Sequence, residues 1–233
     1  MKSPALSLLA LLSMPLCGLA QSPKAELISP QVKSAVEKAV KWLVAQQRPA
    51  GLIVDEKSNN IPKRGDLPSH SAAMTSLALM GLASVGHMPS DPTPEGKAAA
   101  KALRYIVEGI EPDENGYLGR SDRSRMYGHG IISLTLAEMV GHAPDDATDK
   151  RMRGMLDGAI KLILRSQQVS KSEANRGGWR YEPQSSDSDI SVSVWQLMAL
   201  RASKNAGFDV PKDAIDNAVA YIKRSYQVER DAN

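Results

Sequence analysis

The chain has 233 residues, 42% hydrophobic and 24% charged, a balance that excludes wholesale disorder and allows one large domain or two small ones. Lys and Arg total 29 against 26 Asp and Glu, a net charge of +3 with both signs interspersed, so nucleic-acid binding lacks its electrostatic footprint. Only 4% of residues are aromatic, with a single Phe, which argues against a cavity walled with aromatic rings.

The first twenty residues have the form of an export signal. Lys2 supplies the positive start, Leu6 to Leu12 the apolar core, and Gly18-Leu19-Ala20 a small-x-small cleavage site before Gln21. Residues 1–20 are therefore expected to be a leader and 21–233 one exported domain, periplasmic or extracellular. Cys17 is the only cysteine, so the mature chain is expected to lack disulfides, thiol nucleophiles and cysteine-ligated metals. No later stretch is apolar enough for a transmembrane segment.

Beyond the leader, four segments repeat a small-x-x-bulky pattern. They are Ala39-x-x-Trp42-Leu43, Ala102-x-x-Tyr105-Ile106, Ile160-x-x-Ile163-Leu164 and Ala218-x-x-Tyr221-Ile222, with bulky positions 63, 58 and 58 residues apart. Apolar residues at i, i+3, i+4 and i+7 mark them as helices. Between them lie three more apolar stretches, from about Ser69 to Val85, Arg125 to Val140 and Asp189 to Asn205. Each is followed by a glycine expected to adopt a left-handed cap (Gly86, Gly141, Gly207) and then by proline (Pro89, Pro144, Pro211). Strand signals are confined to Leu52-Ile53-Val54. The expected class is all-α, built of helical hairpins of about 60 residues that must stack on one another to bury their apolar faces. A closed double ring with the apolar helices inside is expected over an open solenoid, whose units are usually shorter.

The first repeat runs Lys38-Ala39-x-x-Trp42-Leu43-x-x-x-Gln47-x-x-x-Gly51 and resembles the Gln-Trp repeat of squalene and oxidosqualene cyclases, without the terminal Trp. The third supplies that ending as Gln168 followed, after an insertion, by Gly177-Gly178-Trp179. Asp187-Ser188-Asp189-Ile190-Ser191 through Trp195 and Ala202 is similar to the inner helices of the prenyltransferase and squalene-oxidase repeat family. Tyr127-Gly128-His129-Gly130 resembles the secreted bacterial members of that family. The resemblance covers nearly all of the mature chain and implies an α/α toroid, a fold that hosts unrelated functions. Such rings usually have five to seven hairpins. Three and a half are legible here, so the ring is expected to be incomplete, truncated at the C-terminus relative to the family pattern or completed by a partner.

Class II terpene cyclases protonate an alkene with the middle acid of an Asp-x-Asp-Asp motif. The resemblance places that acid at Asp189, supported by Asp187 and faced by Tyr127 and His129; Ile190 replaces the last carboxylate. An Asp before an apolar helix also reads as an N-cap, which lowers a carboxylate pKa, whereas a general acid must stay protonated. His129 likewise reads as a satisfied inner-helix histidine. Trp179, Arg180 and Tyr181, with Trp195, form the expected binding platform, and Gly177-Gly178-Trp179 reads equally as a packing turn. The Arg120 to Arg125 cluster, Asp122 included, reads as a solvated loop. The four histidines make no His-x-x-x-His or Glu-x-x-His pair, and no metal or other cofactor is expected. The expected function is a binding or scaffold module whose apolar inner face takes an isoprenoid lipid or a protein completing the ring. The alternative is a terpenoid-cyclase-like isomerase or lyase-like enzyme using Asp189 as acid.

Overall fold

The computed structural model describes residues 28–53 and 70–231, with side chains through residue 226. The expected leader 1–20, Val54 and Ser69 lie outside these residues. Eight α-helices are described: α1 Pro30–Ala45, α2 Ser71–Ser84, α3 Pro94–Gly109, α4 Leu118–Ser121, α5 Arg125–Glu138, α6 Asp146–Gln167, α7 Ile190–Asn205 and α8 Lys212–Asp231. The described residues are all-α, as the sequence implies. The strand signal after Gly51 yields only an isolated antiparallel bridge between Gln47 and Ile53.

The helices differ in how they begin, with α7 of the apolar row capped by its own Asp189 as the polar helices are by theirs. The polar set supplies its own caps: the side chains of Ser29, Thr93 and Asp145 accept from Val32, Gly96 and Thr148 N–H, and Pro30 and Pro94 open α1 and α3. These helices are amphipathic, with one apolar stripe. The apolar helices α2 and α5 carry no side-chain cap of their own and are closed from far along the chain. His70 N–H donates to Asp122 O, and Ala72 and Ala73 N–H donate to the Asp122 carboxylate at 2.8 and 3.2 Å. Met126 N–H donates to Tyr181 O at 3.0 Å. Asp122 is thus buried and structural, which corrects its reading as part of a solvated loop. A carboxylate among closely spaced arginines reads as surface until the fold turns it onto free backbone donors.

Helix ends follow the sequence signals. Gly86, Gly141 and Gly207 have φ of 91°, 85° and 88°. After α2 and α7 the returning bonds run from Gly86 to Ala83 and His87 to Leu82, and from Gly207 to Lys204 and Phe208 to Ser203, the Schellman pattern.

Helices α2, α5 and α7 pack in that order in one row, and α1, α3 and α6 in a second; α3 backs α2, α6 backs both α5 and α7, and α8 packs on α7. Three glycines with positive φ set the spacing of the second row. A Cβ on Gly51, Gly116 or Gly177 would collide with the backbone carbonyl of Lys101, Gly158 or Asn217, one turn of a helix in each case. The residues after those carbonyls are Ala102, Ala159 and Ala218, all fully buried. The position on α6 that matches Ala102 and Ala218 is therefore Ala159, one residue earlier than the sequence suggests. Ile160 misleads because it is also buried, against the apolar row.

A glutamine locks the first and third of these loops. Gln47 Nε2 donates to Gly51 O at 3.1 Å and Ala98 O at 2.8 Å; Gln167 Nε2 donates to Gly177 O at 3.0 Å and Ala214 O at 2.9 Å. The repeat glutamine is thus Gln167, and the neighbouring Gln168 is an exposed C-cap residue.

Candidate functional site

The loop from Gly177 to Asp189 is pinned to the start of α7. Ser193 Oγ accepts from Trp179 N–H at 2.9 Å, Asp189 N–H donates to Trp179 O at 2.8 Å, and Ser188 Oγ donates to Asn175 O at 2.7 Å. These bonds hold Arg180, Tyr181 and Asp187 beside the first turns of α5 and α7. Backbone strain marks the adjoining turn, where Arg123 and Arg125 both have φ of 56°.

Five of the residues singled out from sequence meet here. The Arg180 guanidinium pairs with Asp187 at 3.2 Å and lies 4.8 Å over the Tyr181 ring. Tyr181 stacks on Tyr127, with ring centroids 5.9 Å apart and planes 25° apart. The Tyr127 hydroxyl bonds Ser191 Oγ, which donates to the Asp189 carboxylate at 2.5 Å. Because Ser191 gives its proton to Asp189, Tyr127 is the donor of the bond it shares with Ser191. Ser191 was not singled out from sequence. Its only signal is its place two residues after a capping Asp, at the start of an apolar helix.

Three other predicted residues lie elsewhere. Trp179 is 1% exposed, and its indole N–H donates to Ile163 O at 2.8 Å, so it is a core residue and no part of a surface platform. Trp195 is half-buried against the core, and its Cβ crowds Gly130 where α5 and α7 meet. His129 is fully buried: its Nδ1 accepts from Leu118 N–H at 3.2 Å, so Nε2 carries the proton and donates to Ala159 O at 3.3 Å. Tyr117 meets its ring edge-on at 5.5 Å. Both nitrogens are thus engaged in the core, away from Asp189 and Tyr127. A helical pattern cannot separate such a residue from one lining a site, because both lie on an apolar face.

Asp189 caps α7, accepting from Val192 N–H at 3.0 Å. Burial raises its pKa, but the Ser191 hydroxyl, the Val192 and Ser191 N–H groups and the Arg180 charge outweigh that, and the net shift is downward. A carboxyl held ionised cannot deliver a proton to an alkene, and it is also a weak base towards Ser191. What the cluster offers is recognition: two stacked phenols, a guanidinium and a carboxylate. Beyond it along α7, Ile190, Val194 and Met198 form a stripe exposed by 42%, 37% and 43%.

Among the described residues no group of three or more His, Cys, Asp or Glu could hold a metal ion, and no helix is long and apolar enough to cross a membrane. Comparison with family models, with curated proteins and with solved structures finds no match for this chain.

Proposed function

We propose that the chain is an exported binding module built on helical hairpins of the terpenoid-cyclase and prenyltransferase repeat type, forming part of an α/α toroid. Its apolar inner surface receives an isoprenoid lipid, with a protein partner as the other occupant of that surface. Support for the repeat comes from the matching Gln47–Gly51 and Gln167–Gly177 locks, which tie the end of α1 to α3 and the end of α6 to α8. The observation that carries the binding role is the exposed Ile190–Val194–Met198 stripe continuing from the Tyr127–Tyr181 stack, beside an acid that is ionised and already used as a cap. Exposed apolar side chains at i, i+4 and i+8 make a surface suited to an apolar ligand.

Titration with farnesol, followed by the fluorescence of Trp195 and its neighbours, tests this reading. Saturable binding by the wild-type chain should weaken about tenfold in Met198→Glu, through lost apolar contact and a charge facing the ligand, while the melt is unchanged. No saturation at the solubility limit of the lipid would remove the reading.

A second reading is an isomerase or lyase with Asp189 as general acid, for which that carboxyl would have to take up a proton and give up the bond it now accepts from Ser191. Asn caps a helix about as well as Asp, so Asp189→Asn separates the two. The binding module keeps its affinity and its melt in that variant; the enzyme loses turnover.

A further inference from the structure

Helix α1 opens the polar row and stands proud of it: of its 16 residues only Val40 is buried. At 1.5 Å per residue it forms a ridge about 24 Å long. Val32, Ala35, Ala39 and Trp42 recur at i, i+3, i+7 and i+10, which puts them on one face, and all four are exposed. Ile28 and Val36 extend this apolar band. Trp42, 54% exposed, ends it, whereas Trp179 and Trp195 lie in or against the core. None of these residues belongs to the α7 stripe, and the inference drawn from them does not rest on the reading above.

The charge around the band is one-sided. Between residues 28 and 48, Lys33, Lys38, Lys41 and Arg48 stand against Glu37 alone, a local charge of +3 that equals the net charge of the whole chain. Lys97 and Lys101 join Arg48 along the groove where α1 meets α3; Glu95 joins Glu37 in the groove between α1 and the end of α2. Among the described residues none of these six basic side chains makes an ion pair, whereas Lys161 and Lys212 are paired within their own helices. On α8, by contrast, Lys212, Lys223 and Arg224 are mixed with Asp213 and Asp216.

We propose that α1 seats the protein on an anionic lipid bilayer, with the Val32–Trp42 band in the headgroup region and the surrounding lysines and Arg48 drawn to the lipid phosphates. A second copy pairing through α1 would set the positive excess against itself. A flat anionic surface matches both the sign of the charge and the shape of a ridge exposed along its length. An apolar band ending in an indole, with basic residues around it, is the combination that holds a helix in the plane of the interface without spanning it. Long lysine stems let the ammonium groups reach the phosphates while the band is buried.

Cosedimentation of the full chain with vesicles of phosphatidylcholine, alone or with an equal part of phosphatidylglycerol, tests this. The chain should bind the anionic vesicles, and plain ones at least about tenfold more weakly. Affinity should fall as salt rises from about 0.1 to about 1 M, where the Debye length shrinks from about 10 to about 3 Å. Changing Lys33, Lys38 and Lys41 together to Gln should cost about fivefold per charge, about a hundredfold in all. The same change at Lys150, Lys161 and Lys212, on α6 and α8, should leave affinity within about twofold. Lipids with brominated acyl chains should quench part of the wild-type fluorescence, and Trp42→Phe should remove that quenching. All these side chains are exposed, so the melts should not move. Residues 1–20 are the same in every variant, so a difference between variants belongs to α1. The assignment is overturned by no preference for anionic vesicles, by equal losses in the two lysine triples, or by quenching that survives Trp42→Phe. Self-association without lipid that Val32→Glu abolishes would overturn it in favour of a second copy.

Discussion

His129 lies between Leu118 and Ala159 with a hydrogen bond on each ring nitrogen, and its protonation state is set chiefly by burial. Desolvation drives its pKa down from 6.5 to about 4, against smaller upward contributions from Ala159 O and Asp113. The sign of the linkage follows. Between about pH 6.5 and 4 the unfolded chain takes up a proton that the native chain refuses, so the stability present above pH 6.5 drains away as pH falls towards 4. A shift of this size corresponds to about 3 kcal/mol at full effect. Asp122 acts oppositely, since burial raises its pKa despite the N–H groups of Ala72 and Ala73, and native stability gains as that carboxyl protonates. Comparing urea unfolding of the wild type and His129→Gln across pH 7 to 4 isolates the histidine. The wild type should lose stability more steeply with falling pH, and parallel curves would show that His129 is not the buried neutral base described here.

At the scale of the elements, glycines of nearly identical conformation are expected to differ in cost. Gly207 has φ of 88° with open space where a Cβ would stand; Gly177 has φ of 90° with the Asn217 carbonyl there. Gly207→Ala should cost about 1 kcal/mol, the left-handed penalty alone. Gly177→Ala adds a clash that can be relieved only by moving α8 or breaking the Gln167 bonds, and should cost at least about 2 kcal/mol more. Equal losses in urea melts of the two variants would refute the close approach. This contrast also shows what was legible in the sequence. Gly86, Gly141 and Gly207 announce themselves because helix ends are local, and the pattern bounds the three apolar helices to within two residues, whereas of α1, α3 and α6 it marks only the central or last turns. The role of Gly177 and the choice of Gln167 over Gln168 depend on a helix some forty residues on, and the choice of Ala159 over Ile160 on the Gly116 loop some forty residues back. Both members of each pair fit a one-dimensional pattern, and only packing on that distant segment separates them. The site divides the same way: Asp189 and Tyr127 are found from motif, whereas the contact of Tyr127 with Ser191 carries no signal until the starts of α5 and α7 are brought together.

The closures of the apolar helices link the whole molecule in a defined order. The loop after α3 caps α2 through Asp122, and the loop after α6 caps α5 through Tyr181 O, each reaching back about fifty residues. Neither helix can keep its first turn closed unless the segment that follows it is folded. In a stacked array whose units contact only their neighbours, such bonds add to the nearest-neighbour coupling that makes separate units unfold together. Helix N-termini ordinarily fray, and their first amides exchange by local opening well below the global unfolding free energy. Here the amides of Ala72, Ala73 and Met126 are expected to be exceptions, exchanging with deuterium at free energies close to that of global unfolding. Ser29-capped α1, whose Val32 and Val36 are exposed, supplies the internal control. Its first-turn amides should exchange far faster. In Asp122→Ala, Ala72 and Ala73 should fall to the control rate while Met126 stays protected, because its closure comes from another loop. If Ala72 and Ala73 already exchange like the first turn of α1 in the wild type, the caps are incidental contacts, and cooperativity must come from side-chain packing alone.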